Sequence, residues 1–377
     1  MHLHQRVWTQ ATGWSGPADR TASPQLVLAF GASSVLGGAS HLAALRDEYA
    51  GAHVLACSTA GEIHGESVLD DSLVVTAIEF EHTRVVAAAE PIRDANESRS
   101  VGAALARRFD PDGLVHLFVI SEGLHVNGSE LVPGIVGELP PHVGVTGGLA
   151  GDGGLFAETL VALDGPAVPN QVAAIGFYGD RLRVGYGCMG GWDTFGPDRL
   201  ITRASANVLY ELDGVPALDL YKRYLGPHAD DLPASALLFP LSLRSNDDAP
   251  DVVRTILSVD EEAGTMTFAG DMPSGRYARL MRANFDRLID GAAGAGSLGI
   301  NGLRSASPEL ALLVSCVGRK LVLKQRVEEE IEGVRSALAS DTVIAGFYSY
   351  GEISPFSSSA RCELHNQTMT VTTFSEV

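Results

Sequence analysis

The chain has 377 residues, 45% of them apolar and 19% charged, with 42 glycines and a formal net charge of -19 from 27 basic and 46 acidic side chains. That length exceeds one typical core, so two domains are expected, and the apolar content supplies an α/β or α+β interior without metal or disulfide staples. The acidic balance repels phosphate backbones and anionic headgroups, and no basic patch interrupts it, which argues against nucleic-acid and membrane-surface binding.

Residues 1–24, rich in Pro, Gly, Ser and Thr over 11–24, read as a loosely ordered N-terminal arm without the apolar centre of a signal peptide. No apolar run approaches the roughly 20 residues that span a bilayer, which points to a cytoplasmic protein. The fold begins near "QLVLAF". A strand covers 25–30, Leu42, Leu45 and Tyr49 share helical spacing in "ASHLAALRDEYAG", and "HVLAC" is a second strand. Strand, helix and strand in that order imply parallel, right-handed pairing. The two β-rich runs of "SLVVTAIEFEHTRVVAAAEPI" predict a hairpin turning at Glu81, His82 and Thr83, so the sheet is mixed.

A helix over 97–109, a strand over 114–120, a helix around Pro133 and a strand over 142–146 follow, then a glycine-dense loop over 147–154. "LFAETLVAL", "QVAAIGFYG" and "RLRVGYGCM" read as consecutive antiparallel strands. A helix over 217–226 before an Asp- and Pro-rich loop marks the boundary between a domain over 25–218 and one over 219–377. The second domain shows strands near "ALLFPL", "VVRTILSVD" and "GTMTFAG", a helix at "YARLMRANFDRLIDG" and an exposed small-residue loop over 292–308. Strand "LALLVSC", helix "KQRVEEEIEGVRSAL" and strand "TVIAGFYSY" close it, with "EEEIE" at 328–332 as a solvated helix face. The predicted class is α/β to α+β, two lobes with mixed parallel and antiparallel sheets flanked by helices.

Two stretches align. "SPQLVLAF", a helix and "VLACSTAGEI" match "SPELALLVS", a helix and "VIAGFYSYGEI", which reads as a weak internal duplication. Coincidence of Ser-Pro starts and Gly-Glu-Ile ends is the alternative. Duplication would place Glu62 and Glu352 at equivalent carboxyl ends of parallel strands, the edge where open α/β sheets hold ligands.

The same edges carry the candidate chemistry. Cys57, Ser58, Thr59 and Glu62 put a thiol, two hydroxyls and a carboxylate in one loop, and a glycine before each glutamate allows a tight turn. Strand alternation would set Tyr348 and Tyr350 on one face, suited to an amphipathic small ligand. Arg319 would project beside Glu352, the two either clamping a zwitterion or neutralising each other. "GVTGGLAGDGG" could cradle an anion through backbone N–H groups but lacks a nucleotide-loop lysine, and Asp152 reads as a turn former. Nucleophilic catalysis would need Cys57 or Cys316 beside a base such as His64 or His125, and no GxSxG elbow is present. Cys362 and His365, with His2 and His4 on the arm, complete no tetrahedral metal set, so no cofactor is expected. The four cysteines, which also include Cys188, form no CxxC pair and suit free thiols in a reducing compartment.

"CSTAGEI", "GGLAGDG", "SCVGRK", "GFYSYGEI" and "HNQTMTV", in that order over nearly the whole chain, resemble the FIST sensory proteins with their N-terminal and C-terminal FIST domains. The resemblance implies an intracellular signal-transduction sensor for a small ligand such as an amino acid, without established catalytic residues. Because the two FIST regions take up the chain, it implies signalling through a separate protein partner. A cysteine-dependent enzyme of small-molecule metabolism, or a scaffold that binds protein through a sheet edge or apolar patch, are the alternatives.

Overall fold

A computed structural model of the protein describes residues 1–17, 23–38, 40–232, 234–244, 251–303, 306–356 and 361–377. One arrangement of strands occurs three times. The first unit holds β1 (His2–Thr9), β2 (Leu26–Gly31), β3 (His53–Ser58), β4 (Glu62–His64) and β5 (Ser72–Glu79), with helix α1 (Ser40–Glu48) crossing from β2 to β3. The second holds β6 (Arg84–Pro91), α2 (Ser98–Ala106), β7 (Leu114–Ser121), α3 (Gly128–Val136), β8 (Gly144–Leu149), β9 (Val161–Leu163) and β10 (Gln171–Tyr178). The third begins with β11 (Leu182–Met189) and resumes, after an insertion, with α4 (Phe285–Asn301), β12 (Leu310–Cys316), α5 (Val317–Leu323), α6 (Val327–Ala337), β13 (Val343–Ser349), β14 (Gly351–Pro355) and β15 (Met369–Glu376).

In every unit the second and third strands run parallel, as the helical crossover requires. The fifth strand lies antiparallel to the second, and the first antiparallel to the fifth. The fourth strand leaves its own unit: β4 joins β13, β14 joins β8 and β9 joins β3. The exchange is cyclic, so three six-stranded mixed sheets are tied into one ring with a pseudo-threefold relation. Phe30, Phe118, Phe177, Phe347 and Phe374, drawn from all three units, share one buried cluster between the sheets. Strands such as "LVLAFG" and "LALLVSC" are buried throughout, hence their unbroken apolar runs.

The mixed α/β class and the duplication hold, and the repeat extends to a third copy. Several local expectations do not. The hairpin at Glu81 to Thr83 is absent: β5 and β6 belong to different sheets, and the turn is the corner where the chain passes between units. For the same reason β10 and β11 are not neighbours, and "LFAETLVAL" contributes only the short β9. Residues of the expected loose arm form β1, paired with β5 from His2 opposite Glu79 to Thr9 opposite Ser72. Its polar residues find partners there, Gln5 donating to Thr76 Oγ1 and to the Ile344 carbonyl.

The expected loop over 292–308 is largely α4, capped by the Asn284 side chain accepting from Arg287 N–H; residues 304 and 305 lie outside the described residues. The small residues make a close-packed helix face instead of a flexible segment. Gly291, Ala292, Ala295, Gly296 and Gly299 are buried, and a Cβ added at Gly185 or Gly187 of β11 would overlap the Gly299 or Ala295 carbonyl oxygen. Gly185→Ala is therefore expected to cost about 1–3 kcal/mol by overpacking, read as a lower urea midpoint at unchanged slope. The part expected as the start of that helix, "YARLMR", is a strand, Tyr277–Arg282.

The insertion between β11 and α4 is an antiparallel sheet from Asp193–Ser205 to Tyr277–Arg282. Its helix Ala217–Leu225 packs Leu218 and Tyr221 against Leu209, Met266 and Phe268 in a core of its own. Residues 218 and 219, the expected boundary, lie inside that helix. "ALLFPL" yields a 3-10 turn and then the strand Leu241–Leu243. Among the described residues no helix is long and apolar enough to cross a membrane.

Candidate functional site

Three linkers, each running from a third strand to an exchanged fourth strand, meet where β3, β8 and β13 end. Backbone hydrogen bonds close the meeting point. Ala60 N–H donates to Tyr348 O and Tyr348 N–H to Gly61 O, both 2.8 Å, while Tyr350 N–H donates to Leu149 O at 3.2 Å. Gly151 N–H donates to Ser58 O at 2.9 Å and Gly153 N–H to Thr59 O at 3.1 Å. Gly61 has φ +138°, a conformation that disfavours a side chain, which explains the glycine in "AGEI".

Glu62 and Glu352 occupy matching places in units one and three, with matching partners. Glu62 accepts from the Thr59 hydroxyl and from Ser72 N–H (3.3 Å) and Oγ (2.7 Å). Glu352 accepts from the Ser349 hydroxyl (2.8 Å) and from Thr368 N–H (3.2 Å) and Oγ1 (2.9 Å). Both side chains are buried, and burial outweighs these donors, pushing the carboxyl pKa values up to about 7 and about 8.

Unit two departs from the pattern. The register of β9 on β3 sets Val161 where the other units carry glutamate, and the connection from β8 to β9 is longer. That connection is folded by Asp152, which accepts from the backbone N–H groups of Phe156, Ala157 and Glu158 at 2.7–2.9 Å and from the Tyr350 hydroxyl. Burial alone would raise the Asp152 pKa, but the Tyr350 hydroxyl and the backbone donors hold it below the ordinary value. The Phe156 ring stacks on Tyr350 with centroids 4.5 Å apart and planes 16° from parallel.

Over this stack lies a cavity of about 380 Å³ between the threefold core and the insertion. Tyr350, Phe156, Cys316, Val317 and Leu321 form the core wall, and Thr255, Ile256 and Leu257 the opposite one, with Asp231 at the rim. The Thr255 hydroxyl is buried and has no hydrogen-bond partner among the described residues. An unmet buried polar group beside an apolar cavity is what a ligand atom would satisfy.

Of the residues singled out by sequence, Tyr350 lines this cavity, as does Cys316. Arg319 does not reach Glu352. It is wholly buried, its guanidinium pairing with Glu330 at 2.8–2.9 Å and donating to the carbonyls of Leu288 (2.7 Å) and Gly190 (2.5 Å). The zwitterion clamp is thus replaced by a structural ion pair, which also corrects the reading of "EEEIE": Glu328 and Glu332 are solvated, but Glu330 points inward. Tyr348 donates to the same Glu330 at 2.6 Å, so the two tyrosines do not share a face; the turn after Ser349 ends strand alternation before Tyr350. Cys57 is packed inside the core, Ser58 Oγ accepts from Leu160 N–H, and Thr59 serves Glu62. Burial pushes the thiols of Cys57 and Cys316 well above their ordinary pKa, and among the described residues no imidazole lines the cavity. His125 is paired with Glu122 at 3.5 Å, and burial lowers the pKa of His64. Among the described residues no cluster of three His, Cys, Asp or Glu could hold a metal ion.

Sequence reasoning missed Phe156, Thr255 and Leu321. The apolar "LF" in a Gly-rich loop was a usable signal, since Leu155 and Phe156 remain exposed; nothing local distinguishes Thr255.

The family model of the FIST N domain matches residues 25–215 and that of the FIST C domain residues 217–355. No curated protein matches. A crystal structure of cyanuric acid hydrolase from A. caulinodans is similar at 11% identity and a TM-score of 0.22, covering 78% of this chain and 68% of that one, too distant to carry an argument.

Proposed function

Because the chain belongs to the FIST family, whose domains are associated with sensory and signal-transduction roles and small-ligand binding, we propose that it is a non-enzymatic cytoplasmic sensor whose ligand sits between the core and the insertion. The observation that carries this reading is the cavity of about 380 Å³ walled by both parts, with a buried, unpartnered Thr255 hydroxyl beside the Tyr350 and Phe156 stack. The volume suits a small metabolite. An amino acid or similar amine-bearing molecule would lay its apolar body on the rings, give a hydrogen bond to Thr255 and turn its ammonium toward Asp231. Among the described residues Lys and Arg are absent from the wall, so its carboxylate would face the mouth. Closure of the insertion on the ligand would alter the exposed apolar rim at Leu257 and Leu321, the surface a separate signalling partner would read.

A thermal-shift screen against amino acids and biogenic amines tests the site. A ligand at a hundred times its dissociation constant adds about 2.7 kcal/mol, a shift of several degrees. The shift should vanish in Tyr350→Ala and weaken in the near-isosteric Thr255→Val, with Glu62→Gln unaffected. Silence across the library, or a shift indifferent to both cavity variants, would count against the site. The enzyme reading rests on Cys316 at the cavity wall and requires one thiol to alkylate fast near neutral pH; uniformly slow alkylation is the expected result.

A further inference from the structure

Strand β6 lies at the end of its sheet, pairing with β10 on one side and, among the described residues, with no strand on the other. Its two faces are covered. Val86 and Ala88 pack against the cluster that holds Val101 and Leu105 of helix α2, and Val85, Ala87 and Ala89 against the phenylalanine cluster between the sheets. Yet Val85 to Glu90 stay half-buried, whereas neighbouring β10 is buried from Val172 to Tyr178, so what water reaches is the open edge. In unit one the outer edge of the corresponding strand, β1, is met by Gly13–Trp14, with Trp14 opposite Trp8. Among the described residues the edge of β6 has no such cover.

The direction of the free backbone groups follows from the ladder. In an antiparallel pair, alternate residues turn both N–H and C=O toward the same neighbour. Ile92 N–H donates to Asn170 O, and on the far side of β10 Glu122 N–H donates to Gln171 O. Val172, Ala174 and Gly176 therefore bond to Glu90, Ala88 and Val86. Val85, Ala87 and Ala89 turn their N–H and C=O groups outward.

Such an edge templates another strand unless lysine, proline or a bulge blunts it. Here the middle, "VVAAA", is uncharged, and the charges stand at opposite ends, Arg84 and Glu90. That arrangement complements itself. A second β6 laid antiparallel about a two-fold axis at Ala87 sets Ala87 opposite Ala87 and Val85 opposite Ala89, so every outward N–H meets a carbonyl. The same register sets Arg84 of each copy opposite Glu90 of the other. A slip of two residues either way loses both charge pairs, and in one direction it brings Pro91, which has no N–H, into the ladder. Both charges lie on the α2 face, Arg84 over the Tyr178 ring at 4.0 Å and Glu90 beside Arg108 Nε at 2.6 Å. We propose that the chain forms a two-fold homodimer through β6, which joins the second-unit sheets of two copies into one. The interface is independent of the sensor cleft and needs none of its residues.

Sedimentation equilibrium of the full chain in about 0.15 M salt tests it. The chain should sediment as a dimer at about 100 μM. Arg84→Glu and Glu90→Arg each set like charges opposite one another and should weaken the dimer about tenfold or more. An equimolar mixture of the two variants should restore it, because every mixed pair brings glutamate against arginine. Should Glu90→Arg not fold, Arg84→Glu alone carries the charge test. Amide hydrogen exchange reads the backbone: Val85, Ala87 and Ala89 should gain protection as concentration rises, while Val86 and Ala88 are protected throughout. A monomer at about 100 μM, a dimer that Arg84→Glu does not weaken, or exchange at Val85, Ala87 and Ala89 that ignores concentration would each overturn the proposal.

Discussion

Replacing Glu62 and Glu352 together by glutamine will stabilise the protein at pH 8 and flatten the dependence of its stability on pH. Both carboxyls have folded-state pKa values raised from 4.5, to about 7 and about 8, chiefly by burial. Below pH 4.5 both groups are protonated folded and unfolded, and their contribution is fully present. From there to pH 7–8 the unfolded chain loses its protons while the folded chain keeps them, so stability falls as pH rises, and it levels off above. Each site then costs on the order of 3 kcal/mol at pH 8. Glutamine keeps the neutral form: its amide can donate to the Thr59 or Ser349 hydroxyl while its carbonyl accepts from Ser72 or Thr368. Denaturant midpoints at pH 5, 6.5 and 8 for both proteins decide it. Parallel curves, or a variant weaker at pH 8, would mean that the native carboxylates are charged and that the donors around them outweigh burial.

Arg319→Met should cost about 3–5 kcal/mol, the penalty for leaving a buried partner charge unpaired. Glu330 would be stranded with only the Ser315 and Tyr348 hydroxyls, and the carbonyls of Gly190 and Leu288 would lose their shared donor. Those carbonyls tie the start of the insertion and helix α4 to helix α5, so the damage should reach both. Arg319→Met with Glu330→Met removes the stranded charge and should recover part of the loss, not all, because the two carbonyls stay unserved. Urea unfolding of the single and double variants reads this directly. A single-variant loss below about 1 kcal/mol would show that the pair is solvated and contributes as a surface pair does.

Much of each unit was legible locally. Alternating strand and helix periods marked β2, α1 and β3, and again β12, α6 and β13, because burial on both strand faces and one helix face writes itself into neighbouring residues. The twin glutamates were visible because a tight turn needs glycine and the carboxylate needs a hydroxyl three residues before it, both short-range demands. Unit two escaped notice as a third copy because Val161 replaces the glutamate and the longer connection with Asp152 obscures the spacing.

By itself, then, the sequence determined the mixed α/β class, the parallel pairs and the matched positions of Glu62 and Glu352, since each follows from contacts within a few residues or one crossover. Only the tertiary structure decided that fourth strands are exchanged around a ring, that Arg319 meets Glu330 instead of Glu352, and that Tyr350, Cys316 and Thr255 share a cavity. Those outcomes rest on which distant segment is nearest once the sheets close, and the energy of closing them lies in contacts hundreds of residues apart along the chain, which no local pattern encodes.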